Sequence, residues 1–175
     1  KMERLLRELD SRSGPISGRI RQTVIFTRFY DTLADIAAWL QSRRPGILLG
    51  CYSGKCCEYF DPERAQMVQT NREDVKERFL RGEIDVLVCT DAAAEGVNLQ
   101  VADLLVNFDM GWNPMKLEQR IGRIDRIGQK HSVVHVLNLF YVGTAEETVY
   151  GRLLSRLASA GLVVGNRAGA LGPVG

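Results

Sequence analysis

The chain has 175 residues, of which 45% are hydrophobic and 25% charged. This composition excludes wholesale disorder and fibrous repeats and suffices for one α/β domain to bury a core without disulfides. The formal charge of +2 is too small to point to a partner, so a phosphate or nucleic-acid site has to come from local clusters of lysine and arginine. Cys51, Cys56, Cys57 and Cys89 form no C-x-x-C pair, and His131 and His135 need not converge. These spacings offer no metal site and read as reduced intracellular thiols. No apolar run is long enough for a bilayer, no cleavable signal opens the chain, and residue 1 is Lys. A cytoplasmic piece of something longer, with no membrane partner, is the expectation.

In chain order, residues 1–10 (KMERLLRELD) set Leu5, Leu6 and Leu9 on one face of a short helix, and a Gly/Pro/Ser linker follows over 11–18. The β-branched run TVIFT (23–27) predicts a buried strand. Leu33, Ile36, Ala37 and Leu40 predict a helix over 31–41, ended by Pro45-Gly46 before a second strand over 47–52. Residues 53–71 carry no clean period and read as a surface insertion or long loop. Val75, Phe79 and Leu80 mark a helix closed at Gly82, and strands are expected over 85–89, 104–108 and 133–140. A last helix starts at Thr144, where Thr144 and Glu147 make a T-x-x-E capping pattern and Val149, Leu153 and Leu157 give a buried face. Strands alternating with helices imply a three-layer α/β/α domain with a mostly parallel sheet of about five or six strands. The expected divisions are a helix and linker (1–20), the main domain (21–160) and a loose Gly/Ala-rich tail (161–175).

Open parallel sheets bind ligands beyond the carboxyl ends of their strands. Here those segments begin at Arg28, Ser53, Thr90 and Asp109. The last leads into LEQRIGRIDRIGQ (117–129), a helix with Asn113 as N-cap, Pro114 at its first position and Gly128 as terminator. At helical spacing Leu117, Ile121 and Ile124 share one face, and Gln119, Arg123 and Arg126 share another roughly opposite. A solvated arginine face is the bland alternative. This face lacks alternating acids, with Glu118 and Asp125 off to its sides, and guanidinium forks match phosphate.

QRIGRIDRIGQ (119–129) resembles the sixth motif of superfamily-2 helicases and translocases, and its RIGQ ending is typical of the Swi/Snf branch. VIFTRF (24–29) is similar to the fourth motif, TDAAAEGVNL (90–99) to the fifth and DMGWNP (109–114) to the stretch between fifth and sixth. The spacing from Arg72 to Phe79 ahead of DVLVCTD fits as well. The likeness runs from about Val24 to Leu154 and is nearest the bacterial RNA-polymerase-associated Swi/Snf-type ATPases.

The resemblance implies the second RecA-like lobe of a two-lobe motor. ATP with Mg would be held mainly by an N-terminal lobe, with duplex DNA and RNA polymerase as further partners. Arg123 and Arg126 match the arginine fingers, and Gln119 the leading glutamine at the nucleotide edge. Gly96, Asn98 and Asp91 lie in the nucleotide-side motif, and Asn98 departs from the acid that several members place near the ribose. Thr27, Arg28, Ser53, Gly54, Thr90 and Trp112 match nucleic-acid-facing positions. Residues 53–71 depart from relatives that are often shorter there. No G-x-x-x-x-G-K-[ST] loop occurs, since GCYSGKC (50–56) is one residue short and ends in Cys. The chain alone is therefore expected to hydrolyse no ATP. Two other readings stay open: a non-catalytic nucleic-acid or protein docking module, and a lobe of a strand-separating helicase.

Overall fold

The computed structural model describes residues 1–14, 18–95, 97–110, 113–125 and 127–159, apart from the side chains at 114, 153 and 156–158. Its elements are α1 (Met2–Ser11), β1 (Thr23–Thr27), α2 (Tyr30–Arg43), β2 (Leu49–Tyr52), β3 (Cys57–Asp61), β4 (Gln66–Gln69) and α3 (Arg72–Leu80). Then come β5 (Val86–Thr90), α4 (Asp91–Ala94), β6 (Leu104–Asn107), α5 (Pro114–Ile124), β7 (His135–Asn138) and α6 (Ala145–Ser159). The strands form one seven-stranded sheet in the order β4-β3-β2-β5-β1-β6-β7. β1 lies between β5 and β6, pairing in parallel with both, and β2 and β7 extend the parallel block on either side.

The apolar runs become strands because both faces of this block are covered. β1, β2, β5 and β6 are buried at every position. Successive strand side chains point to opposite faces, so Ile25, Val86, Val88, Leu104 and Val106 pack with Leu5 and Leu9 of α1 and Leu33, Ile36 and Leu40 of α2. Val24, Phe26, Leu87, Cys89 and Leu105 meet Val75 and Phe79 of α3, Ala93 of α4 and Ile124 of α5 on the other face. Each fully buried Leu, Ile or Phe contributes about 1.5–3 kcal/mol of transfer free energy, which outweighs any helix or strand propensity here. All four cysteines are free thiols, and burial pushes those of Cys51 and Cys89 well up. Among the described residues no helix is long and apolar enough to cross a membrane.

Two expectations are corrected. Residues 53–71 are not a structureless insertion, because β3 and β4 form an antiparallel hairpin that adds two strands to the sheet edge. The hairpin is half exposed, so it lacks the continuous apolar signature of the central strands. Its turn is set by Asp61, which accepts from the N–H of Glu63 at 2.9 Å, and by Ala65 in the left-handed region at φ 53°. The described part of the segment after α1 is tied to the sheet: Ser13 bridges Ile20, Arg19 Nε donates to both Asp85 oxygens at 2.9 Å, and Arg12 and Arg21 both pair with Asp103. At α6 the cap moves by one residue: the Glu147 carboxylate accepts from the Gly143 N–H at 2.7 Å, and the Thr144 hydroxyl donates to the Tyr141 carbonyl at 2.6 Å.

Gly50 sits in β2 where a Cβ would come within 2.8 Å of Ile84 Cδ1 and 3.3 Å of Leu87 Cδ1. Overpacking a fitted core costs roughly 1–3 kcal/mol, so Gly50→Val is expected to lower stability by that amount. Chemical denaturation checks it; an unchanged midpoint would mean that Ile84 and Leu87 can move aside above β2.

Candidate functional site

The carboxyl ends of β5, β1 and β6 lie side by side, and the chain leaves them through Asp91, Thr27-Arg28 and Asp109. One guanidinium joins all three. Arg120 on α5 is 3% exposed. Its Nε and Nη2 donate to the two Asp91 oxygens at 2.6 and 2.9 Å, and its Nη1 donates to Asn107 Oδ1 at 2.9 Å and the Asp109 carbonyl at 2.8 Å. Nη2 also stands 3.6 Å from an Asp109 carboxylate oxygen. That carboxylate accepts from the Thr27 hydroxyl at 2.6 Å and the Arg28 N–H at 3.0 Å. Asn107 passes the connection on to β7, its amide donating to Asn138 Oδ1 at 2.7 Å. The Phe26 ring lies 5.5 Å from the guanidinium carbon.

Removing a guanidinium from water costs several kcal/mol unless its donors are met by well-placed acceptors. The forked pair with Asp91 and the two bonds from Nη1 meet that condition. Position 120 follows Leu117 by three and precedes Ile124 by four, so it falls on the inward side of α5 with those two buried residues.

Three residues later and about 60° farther round the helix, Arg123 lies at the margin of that inward side. It is half-buried, and among the described residues its guanidinium makes no ion pair or hydrogen bond. Gln119 is exposed, also without a side-chain partner among the described residues. Arg126, Gly96 and Trp112 lie outside the described residues. The Asn113 side chain accepts from the Met115 N–H at 3.0 Å, and Pro114 follows as the first helical residue. The helix stops at Ile124, short of the expected terminator Gly128. Gln129 satisfies this end of the helix, its amide donating to the carbonyls of Ile124 at 2.7 Å and Ala102 at 3.0 Å. Gly128 instead takes φ 100° in a turn against Gln100, where a Cβ would meet Gln100 Oε1 at 3.1 Å.

The segment after α4 is stapled to this helix end. Leu99 N–H donates to the Arg123 carbonyl at 3.0 Å, and the Gln100 amide donates to the Ile127 carbonyl at 2.6 Å. Asn98 is exposed and donates to Gln100 Oε1 at 2.7 Å. The fifth- and sixth-motif residues therefore form one rim beside Arg123.

At the positions singled out for nucleic acid, side chains divide by exposure. Arg28 is exposed and lies 5.2 Å from the Phe29 ring. Gly54 is exposed in the turn after β2, flanked by Lys55, whose Nζ is 5.1 Å from the Tyr30 ring, and by Arg72, whose Nη2 would lie 3.4 Å from a Cβ at position 54. Thr27 and Ser53 are buried. The Thr27 hydroxyl serves Asp109, and the Ser53 hydroxyl donates to the Cys56 carbonyl at 2.7 Å and accepts from the Cys56 N–H at 2.9 Å. Both therefore shape their loops rather than reach out of them. Thr90 is 6% exposed at the N-cap of α4. Asp91 gives both oxygens to Arg120.

The profile of the helicase conserved C-terminal domain matches residues 1–128. The chain belongs to that family. Over 104 residues, 59% of its length, it is 41% identical to a Bacillus subtilis (strain 168) protein described as uncharacterized ATP-dependent helicase YqhH. Over 69 residues, 39% of its length, it is 51% identical to the RNA polymerase-associated protein RapA of Vibrio vulnificus (strain YJ016). These stretches are 18% and 7% of the relatives' own lengths, so the chain spans a small part of either. Among solved structures, the C-terminal domain of the DEAD-box protein Dbp5 superposes with a TM-score of 0.63 at 20% identity, covering 90% of this chain and 79% of that one. The C-terminal part of the Fun30 ATPase domain gives 0.59 at 23% identity, covering 76% and 38%. At such identities the likeness is one of fold, the RecA-like helicase C-terminal lobe.

Sequence reasoning missed Arg120 and Asp109. The available signal was position: an arginine in phase with Leu117 and Ile124, and acids placed directly after two buried strands. A helicase lobe built in this way is expected to respond very differently to its two arginines. Arg120→Met strands the Asp91 carboxylate and is expected to cost roughly 3 kcal/mol, whereas Arg123→Ala is expected to stay within about 0.5 kcal/mol because it breaks no bond among the described residues. Urea denaturation of both variants checks this; equal losses would mean that Arg123 also holds the fold.

Proposed function

We propose that the chain is the second motor lobe of an ATP-driven duplex-DNA translocase of the Swi/Snf type, working in the bacterial cytoplasm on DNA and RNA polymerase complexes. The observation that supports it is Arg123, a cation that has no partner among the described residues, on a helix whose rotation is fixed by a buried arginine beside it. Across a cleft, such a guanidinium stabilises the charge that builds on a transferring γ-phosphoryl group. Arg126 is assigned the same role, and Gln119 and Asn98 the nucleotide edge, with Gly96 allowing close backbone approach.

The donor set fits one side of a Mg-nucleotide. Arg123 and Gln119 offer N–H donors suited to phosphate. The carboxylates on the strand ends, Asp91 and Asp109, are occupied by Arg120, Thr27 and Arg28. This lobe thus contributes cations, and the metal and most of the ATP are assigned to an N-terminal RecA-like lobe. Arg28, Gly54, Lys55 and Arg72 supply positive charge and a bare backbone amide for the phosphates of duplex DNA, contacts that position without reading sequence. Thr27 and Ser53 hold the loops that carry them, and Thr90 and Trp112 are retained as further candidate contacts.

RapA is, as its name states, associated with RNA polymerase, and this motivates the same partner here. YqhH is described as a helicase, so strand separation is the competing reading; a strand-displacement assay on the full-length protein decides between them.

Arg123→Ala in the full-length protein is expected to reduce ATP turnover by about 10³-fold or more while nucleotide binding survives. Turnover near wild type would remove the finger assignment. The chain by itself is expected to show no DNA-stimulated ATP hydrolysis, and steady turnover by the pure chain would contradict the division of labour between lobes.

A further inference from the structure

Arg120 does more than complete a core. The strands β5, β1, β6 and β7 are consecutive neighbours in the sheet, and the Arg120 network reaches the carboxyl end of each one: Asp91 after β5, Thr27 and Arg28 at the end of β1, Asn107 and Asp109 at the end of β6, and Asn138 of β7. At one end lies the loop that presents Arg28. At the other lies the helix that presents Arg123, whose own carbonyl is held by Leu99. Between them the path is short: the Arg28 N–H donates to the Asp109 carboxylate, and Arg120, itself a residue of α5, donates from Nη1 to the Asp109 carbonyl and faces the carboxylate from Nη2. Charge-assisted bonds of this kind are stiff and directional. A shift of the Arg28 loop moves the Asp109 carboxylate, which faces Arg120 Nη2 at 3.6 Å without the close hydrogen bond that Asp91 makes. Asp109 is the adjustable member of the network.

We propose that Arg120 is a positioning residue that transmits occupancy of the Arg28 loop to the presentation of Arg123, with Asp109 as the link between them. This rests on the motor reading above. It goes further by naming how contact with nucleic acid at one rim of the lobe alters chemistry at the other. Phosphate drawn to the Arg28 loop tightens the Thr27-Arg28 cradle around Asp109, and Asp109 closes on Nη2. The guanidinium then turns α5 by the small angle that brings Arg123 into line. A side chain misplaced by about 1 Å at a reacting centre can cost on the order of a hundredfold in rate, so small rotations suffice.

The test uses the full-length protein with duplex DNA and three variants along the path: Thr27→Val, Asp109→Asn and Arg120→Lys. Turnover is measured with and without DNA, together with the KM for ATP, the DNA concentration for half-maximal turnover, and the Tm. The expected result is that the ratio of DNA-stimulated to DNA-free turnover falls about tenfold in Thr27→Val and Asp109→Asn and further in Arg120→Lys. The KM for ATP is expected to stay within about twofold of wild type, because no nucleotide contact is removed, and the ratio is read at saturating DNA so that a loosened Arg28 loop does not lower it through binding. A wild-type stimulation ratio in Thr27→Val and Asp109→Asn overturns the proposal. So does a loss of stimulation that follows the fall in Tm across the three variants, since that assigns the network to stability alone. Arg123→Ala in the same series separates the two levels. If it abolishes turnover while the three variants keep the ratio, only the transmission fails; if it leaves turnover intact, the finger reading fails and the transmission with it.

Discussion

A guanidinium that is 3% exposed survives in a protein interior only where acceptors are already aimed at its donors, and at the carboxyl edge of this sheet they are. The acceptors come from the ends of β5 and β6, so satisfying Arg120 requires these strands to end at matching heights and the helix to lie across them. The helix then has little rotational freedom. With Leu117, Arg120 and Ile124 facing inward, Gln119 and Arg123 face outward, and the outward arginine is directed by a bond that it does not itself make.

The two edges of the sheet use the same chemistry to opposite ends. At the amino edge, Asp85 and Asp103 are covered by Arg12, Arg19 and Arg21 from the segment that follows α1. Those ion pairs clasp the N-terminal helix to the sheet and close that edge. At the carboxyl edge the charges are arranged around one buried cation, and Arg28 and Arg123 are left to face outward. Closing one edge and leaving cations exposed along the other gives the described residues one rim of outward-facing cations, at the edge where open parallel sheets generally place ligand sites.

Most of the fold was legible from the sequence because it is carried by continuous apolar runs. TVIFT, DVLVC and LLVNF are buried on both faces, so composition alone announces them. The β3–β4 hairpin was not legible, since strands at an exposed edge need no continuous apolar signal, and the Asp-Pro turn between CEYFD and QMVQ was the only hint. The site was legible in outline: Asn113 and Pro114 open α5, Arg123 points away from the core, and the family resemblance is borne out by the domain match. What one-dimensional spacing could not show was which arginine goes inside. Position 120 shares the phase of Leu117 and Ile124, but a buried arginine is admissible only with acceptors supplied by Asp91 and Asn107, which are 29 and 13 residues away in sequence. For the same reason the Thr27 and Ser53 hydroxyls looked available for phosphate until their internal partners were visible.

The central claim is that one arginine is held so that another can act. Its most direct test is a structure of the full-length protein closed on duplex DNA with Mg, ADP and a metal-fluoride mimic of the transferring phosphoryl group. The account requires the Arg123 guanidinium within hydrogen-bonding distance of the mimic, about 2.7–3.2 Å, while Arg120 keeps its forked pair with Asp91. A closed complex in which Arg120 has left Asp91 to reach the nucleotide, or in which Arg123 faces solvent, would contradict it.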